Sequence, residues 1–442
     1  MFGLIMKTLL ALCLAFSSLA AYSQSAPNPK LLAEIENIKA IDHHSHPPKL
    51  VSASEKDEDY DALPCDPATP FDPPYAVRPE NPMYMEAWKA LWNYPYNDRS
   101  PEHVRFVLDA KAKAKQEQGD NYANWILDRL GIETEFANRI ALGRGLQPPR
   151  FRWVPFDDAL LSPLDNSAVA DNPDRKPFYQ LEGKLLQRYM KDLNLTAAPR
   201  TLEEYTARVV TPTLERQKQG GAVAIKFEAA YLRSLDFEPA SQAEAAAIYG
   251  RYANGGAPSK QENLKLQDYL FRYIAAEAGR LKLAVHFHTG GGCGSYFDLP
   301  GADPALLSSV IDDASLRNTT FVLVHGGAQT YSKKVAYLMS KPNVYADFSE
   351  ITWLLSPRAL SYIVRNFLEW YPEKTMFGTD LSPGTPDIDW EEIGWVTSQT
   401  GRRALAMALT GMMDDGEISY PRAVELAHMV LHDNAAKLYG IQ

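Results

Sequence analysis

Cysteine is scarce in this 442-residue chain: there are three, and Cys13 sits in an apolar N-terminal stretch, leaving Cys65 and Cys293 for the rest. Two cysteines exclude a small disulfide framework; they either form one bridge or stand as separate thiols. Basic charge is also short. Lys and Arg number 45 against 55 Asp and Glu, for a formal net charge of -10. That is the reverse of the basic footprint carried by a general binder of nucleic acid or anionic membrane. No internal repeat or long low-complexity tract is present, which sets aside solenoid architectures. Beyond the N-terminus no apolar run is long enough to cross roughly 30 Å of hydrocarbon.

The N-terminal run itself is too short to span. Lys7 supplies a positive flank, residues 8–16 an apolar core, and Ser18, Leu19, Ala20 and Ala21 the small residues of a cleavage site. This pattern predicts a secretory signal over residues 1–22, with translation from Met6 as a variant start, and no lipid attachment at Cys13. The mature chain, 23–442, is then expected in the periplasm or secreted, free of the membrane after cleavage.

What remains is an ordinary globular composition, 45% hydrophobic and 11% aromatic, long enough to bury a large core. Short apolar, β-branched runs fall at residues 40–42, 134–137, 151–154, 222–227, 283–287, 320–324, 344–346 and 375–377. Segments of helical periodicity, such as 261–278 and 303–314, lie between them. Strands alternating with helices imply parallel βαβ units. Eight of them predict a closed (β/α)8 barrel in one domain, with an open doubly wound sheet as the alternative. Residues 47–130 exceed a minimal connection. They are rich in Pro and Asp, then aromatic over 83–92, and leave the C-terminal end of the first strand, so they are expected to form a cap or lid. A second insertion, 161–176, follows the third strand.

Polar residues recur where these strands end. The run Ile41-Asp42-His43-His44-Ser45-His46 places His44 and His46 two apart, on one face of a strand, with His43 pointing away. Asp42 shares the His44 face and is expected to accept a ring proton from a ligand histidine. His288 follows the fifth strand, His325 the sixth and Asp380 the eighth, each within two residues of a glycine. A metal centre in a barrel needs such ligands at the ends of different strands. Lys226 and Glu228 share a face of the fourth strand. His286 faces the interior with His288, and Tyr231 and Arg233 lie just beyond the fourth strand as candidates for an anionic group.

The Asp-x-His-x-His opening, the His288-Thr289-Gly290, His325-Gly326 and Gly378-Thr379-Asp380 strand ends, and the closing Asn434-Ala435-Ala436-Lys437-Leu438-Tyr439-Gly440 resemble the amidohydrolase-related (amidohydrolase 2) family. Between residues 283 and 380 the chain looks most like the amidohydrolase-type half of proteins fused to a glutamine-synthetase-like module. The resemblance implies a distorted (β/α)8 TIM barrel with a divalent metal on His44, His46, His288 and Asp380. His325 would then be catalytic base or ligand to a second metal. It also leaves Lys226 or Glu228 as a bridge between two metals, with Lys226 or Arg233 as the alternative contact to a substrate carboxylate; one metal is the favoured count. His and Asp ligands suit zinc, with manganese as the alternative. The reading is a hydrolase that uses a metal-activated water on an amide, ester or lactone of a small substrate, with Asp380 moving the proton. Non-oxidative decarboxylation, sugar-acid isomerisation, or a silent metal- or ligand-binding protein are the alternatives. A homodimer is the expected assembly.

Overall fold

The computed structural model describes residues 26–51 and 55–441, so the signal-like stretch lies outside the described residues. Each of the eight segments read from sequence contains a strand. These are β1 Ala40–Ser45, β2 Ile132–Asn138, β3 Phe151–Val154, β4 Ala224–Phe227, β5 Ala284–His288, β6 Phe321–Val324, β7 Val344–Asp347 and β8 Thr375–Met376. All paired strands are parallel, in one group β1-β2-β3 and a second β4-β5-β6-β7-β8. Two looser seams close the ring. Isolated parallel bridges Trp153–Ala222 and Phe156–Lys226 join β3 to β4. Between the end of β8 and β1, His43 N–H donates to the Phe377 carbonyl (3.0 Å) and Asp380 N–H to the His44 carbonyl (2.7 Å). The barrel is therefore a distorted (β/α)8 barrel.

Its strands are buried on both faces, which explains why they read as apolar runs rather than as alternating ones. Ile41, Phe136, Val154, Ala224, Ala284, Val322 and Met376 fill the lower interior. Ala435 is buried among them, with Leu438, Tyr439 and Ile441 packed alongside, so the C-terminal helix Asn434–Tyr439 plugs the floor.

The outer helices follow from caps and periodicity. Lys260–Leu281 begins with a Ser259–Glu262 capping box and buries Leu266, Leu270, Phe271, Ile274 and Ala278 in the main core. Each large side chain buried there contributes roughly 1.5–3 kcal/mol. The expected helix over 303–314 is instead broken into short turns. Asp303 and Asp313 accept backbone N–H groups two residues on, and Pro304 follows the first, so side chains compete with the helical ladder.

Residues 47–130 divide in two. The helices Pro82–Trp92, Pro101–Gln118 and Tyr122–Leu130 build a separate aromatic core, in which Trp88, Trp92 and Tyr122 pack with Leu381, Trp390, Ile393 and Val396. This is a side wall against the helix Trp390–Asp414. The irregular part, 55–81, forms a strap toward the histidine-rich end of β1. Cys65 and Cys293 are disulfide-bonded, with Cα atoms 5.9 Å apart, so the two thiols left open by the sequence are one bridge between the strap and the loop after β5.

Candidate metal centre

The end of β1 departs from simple alternation. Asp42 pairs with Glu135, but Ser45 pairs with Ala137, so three residues of β1 are matched by two of β2. This slip turns consecutive side chains inward. His43, expected to point away, instead enters the barrel interior and stacks near His286, with ring centroids 4.6 Å apart. His44 and His46 still converge one layer higher. The Asn138 amide nitrogen lies 2.9 Å from His44 Nδ1. Asp42 does not receive a ring proton. Its carboxylate accepts the Thr379 N–H (2.8 Å), the His44 N–H (3.3 Å) and the Thr379 hydroxyl (2.5 Å), which locks β1 to the turn carrying Asp380.

His44, His46 and Asp380 each offer a ligand atom, and all three atoms lie within 4.8 Å of one another. Asp380 Oδ1 is 3.2 Å from His44 Nε2 and 3.5 Å from His46 Nε2. Gly378 permits this approach: a Cβ there would stand 2.8 Å from Ser349 Cβ and 3.3 Å from the His44 nitrogen. Backbone strain gathers at the same rim. His325, Ala328, Glu350 and Asp380 all have φ between 50° and 67°, each at a cost of roughly 1–3 kcal/mol. Among the described residues, the other non-glycine positions with positive φ are Asn93, Asn194 and Lys282, which cap or follow helices.

Burial sets the charge state. It drives the His44 and His325 imidazoles well below the ordinary range and His288 down to about 3, with Lys226 adding to each. It pushes Asp380 and Glu228 well above the ordinary carboxylate range, and Glu350 up to about 7. Neutral imidazoles next to carboxylates short of countercharge are what a divalent cation would satisfy. One oxygen each of Glu228 and Glu350 is buried without a hydrogen-bond partner. The donor set therefore fits a divalent ion.

The remaining candidates form a second row. Lys226 Nζ lies 3.4 Å from His44 Nε2 and 3.6 Å from Glu228 Oε1. His288 does not join the three-atom cluster: its Nε2 is 2.5 Å from the Gly291 carbonyl and its Nδ1 3.1 Å from His325 Nε2. His325 Nδ1 meets the Ser349 hydroxyl at 2.9 Å, and that hydroxyl donates to Asp347 at 2.5 Å. Burial alone would raise Asp347, but hydrogen bonds from His43 and Ser349 hold it below its usual value. Counting protons outward from this carboxylate makes the order plain. Ser349 spends its hydrogen on Asp347, so His325 must donate from Nδ1 and keep a lone pair on Nε2. His288 then donates from Nδ1, which leaves its Nε2 lone pair against the Gly291 oxygen.

Arg233 is removed from the site. Its five N–H groups are taken by the Ser234, Leu264 and Asp236 carbonyls, Gln267 and Asp268, leaving none for a substrate carboxylate. It lines a cleft of about 690 Å³ that contains none of the clustered histidines. Tyr231 stays near, its ring centroid 4.8 Å from that of His288. His286 is an interior residue, its Nε2 2.7 Å from the Tyr439 hydroxyl that also meets His43. Sequence reasoning missed Asp61, whose carboxylate is 2.8 Å from His46 Nδ1, as well as Asn138 and Ser349. Asn138 carried a usable signal, a polar residue closing an apolar strand.

The sequence matches the amidohydrolase family over residues 195–441, more than half the chain. This protein belongs to the amidohydrolase family. It is 27% identical over 230 residues to the protein fluG of Emericella nidulans, an alignment that takes in 50% of this chain but 26% of that relative, so the chain spans about a quarter of the relative's length. Among solved structures, a Lactobacillus casei protein described as a metal-dependent hydrolase superposes with a TM-score of 0.57 at 16% identity, covering 93% of this chain and 97% of that one. The glucuronate isomerase of Caulobacter crescentus gives 0.56 at 11% identity, over 95% and 97%. The uronate isomerase of Thermotoga maritima gives 0.53 at 13%, over 93% and 96%. At these identities the likeness is one of fold. The fold is thus shared by proteins named for different chemistries, and the reaction must be argued from the residues at the rim.

Proposed function

We propose that this amidohydrolase-family chain is an exported, metal-dependent hydrolase of small amides, esters or lactones. The observation that carries the reading is the convergence of His44 Nε2, His46 Nε2 and Asp380 Oδ1 at the C-terminal rim of β1 and β8. We assign the ion to these three residues and to His288 once its ring turns from Gly291. A divalent ion, zinc before manganese, would act there as a Lewis acid and lower the pKa of a water to about 7. Asp380 takes the proton of an attacking water and passes it to the leaving group. His325 is the second base of the site, its Nε2 lone pair occupied by the His288 Nδ1–H until His288 turns to the ion. Lys226 is the remaining buried cation for a substrate carboxylate now that Arg233 is saturated. The near-complete burial of His46 and Asp380, 8% and 9% exposed, favours a small substrate.

The test is elemental analysis of the untagged mature protein beside His44→Ala and Asp380→Ala, followed by screening on amides, esters and lactones with carbon dioxide release monitored in parallel. About one equivalent of zinc or manganese, lost in both variants, together with hydrolytic product, is expected. Carbon dioxide without hydrolysis would move the assignment to a decarboxylase, and no metal after reconstitution would overturn it.

A further inference from the structure

The strap after β1 carries a group that the proposed site needs. Asp61 lies in it, with its side chain 7% exposed and Oδ2 2.8 Å from His46 Nδ1. Its other oxygen accepts the Leu63 N–H at 3.0 Å, which fixes the carboxylate to its own turn. An ionised carboxylate can only accept. A carboxylate this close to Nδ1, though not aligned for a hydrogen bond, favours the tautomer with the proton on Nδ1 and the Nε2 lone pair on the side where Asp380 lies.

The strap is held by more than this contact. Four residues beyond Asp61, Cys65 is bonded to Cys293, in the loop that follows His288 and Gly291. Nearby, the Ser295 N–H donates to the Thr69 hydroxyl at 2.9 Å, the Ser295 hydroxyl to the Pro70 carbonyl, and the Thr69 N–H to Asp174 at 2.7 Å. One covalent bond thus joins the segment that orients His46 to the segment that leaves His288.

We infer that Asp61 is a positioning residue for His46, and that the Cys65–Cys293 disulfide holds it there by fastening the β1 strap to the β5 loop. The inference rests on the metal-site reading above and names what tunes that site. Carboxylates that fix a ligand histidine are typically worth 10–100-fold in metal affinity. Asp61→Ala is expected to weaken zinc binding by about that factor, measured by competition against a chromophoric chelator. Asp61→Asn, which keeps an acceptor, should recover part of the loss. The melting temperature of the metal-free protein should change little in either variant, so a purely structural role would give a different pattern. Wild-type protein with the disulfide reduced, and Cys65→Ser/Cys293→Ser, should bind zinc several-fold more weakly and leave Asp61→Ala unaffected. Wild-type affinity in Asp61→Ala, with His44→Ala still defective, overturns the inference and spares the site. Undiminished affinity after reduction overturns the part played by the disulfide. If Asp61→Ala fails to fold, the Asn variant and the reduced wild type decide. A wild type that binds no zinc removes the site reading itself.

Discussion

The barrel interior holds histidines at two levels, and they differ in what surrounds them. At the lower level His43 and His286 share the Tyr439 hydroxyl at 2.7 Å each, and His43 also meets Asp347. Phe136 and the apolar floor enclose them. At the rim, His44 and His46 direct Nε2 at the Asp380 carboxyl, among strained backbones and carboxylates without enough countercharge. Residue type and burial are the same at both levels. The floor histidines meet at one shared hydroxyl, whereas His44 and His46 turn Nε2 toward one carboxylate oxygen and open toward a common point. That contrast separates a structural histidine from a ligand more cleanly than burial does.

The comparison breaks most sharply through paired substitutions. His44→Ala should lose bound metal altogether while folding stably. His43→Ala should retain about one equivalent and lose roughly 3 kcal/mol or more in denaturant melts, because Asp347 is left buried with a missing donor. Metal loss in His43→Ala would mean that the two levels are not independent. A smaller effect is expected for Tyr439→Phe, which strips one hydroxyl from two buried rings: about 1–3 kcal/mol by the same melts, with metal content unchanged.

A further effect lies outside both levels and depends on pH. Burial raises the Asp157 carboxyl to about 7, partly opposed by a hydrogen bond from Gln217, and its second oxygen has no partner. A carboxyl raised in the folded state favours the protonated form. Its contribution is complete below the unfolded value of about 4 and is lost as pH climbs through about 7. Asp157→Asn should therefore gain stability on the wild type between those limits and show no gain at pH 4. A constant difference across that range would assign the effect to packing.

Much of the scaffold was legible because most strands are buried on both faces and several run directly into a polar residue, as at Glu228, His288 and His325. The helices read from capping and periodicity held where no side chain competed, as at Lys260–Leu281, and failed at 303–314, where Asp303 and Asp313 took the backbone donors. At the site, the His44 and His46 pair was visible from spacing. The placement of His43 was not, because alternation assumes an unslipped register and β1 slips between Asp42 and Ser45. Arg233 looked available because sequence shows a cation but not the five acceptors around it. Asp61 gave no signal at all: it is one of several acids in an irregular stretch, brought to His46 by long-range contacts of that stretch, among them Arg139 to Asp57 and the bridge from Cys65 to Cys293.

That bridge has a topological consequence. Residues 65–293 form a covalent ring that contains β2, β3, β4 and β5. A single peptide-bond cut within the ring, for instance in the partly exposed stretch 163–173 before the helix Arg175–Asp192, opens the ring but separates nothing. Both pieces remain one molecule until the sulfurs are reduced. Scission there and scission outside the ring are therefore different injuries: the first leaves the two halves of the barrel tethered, the second does not.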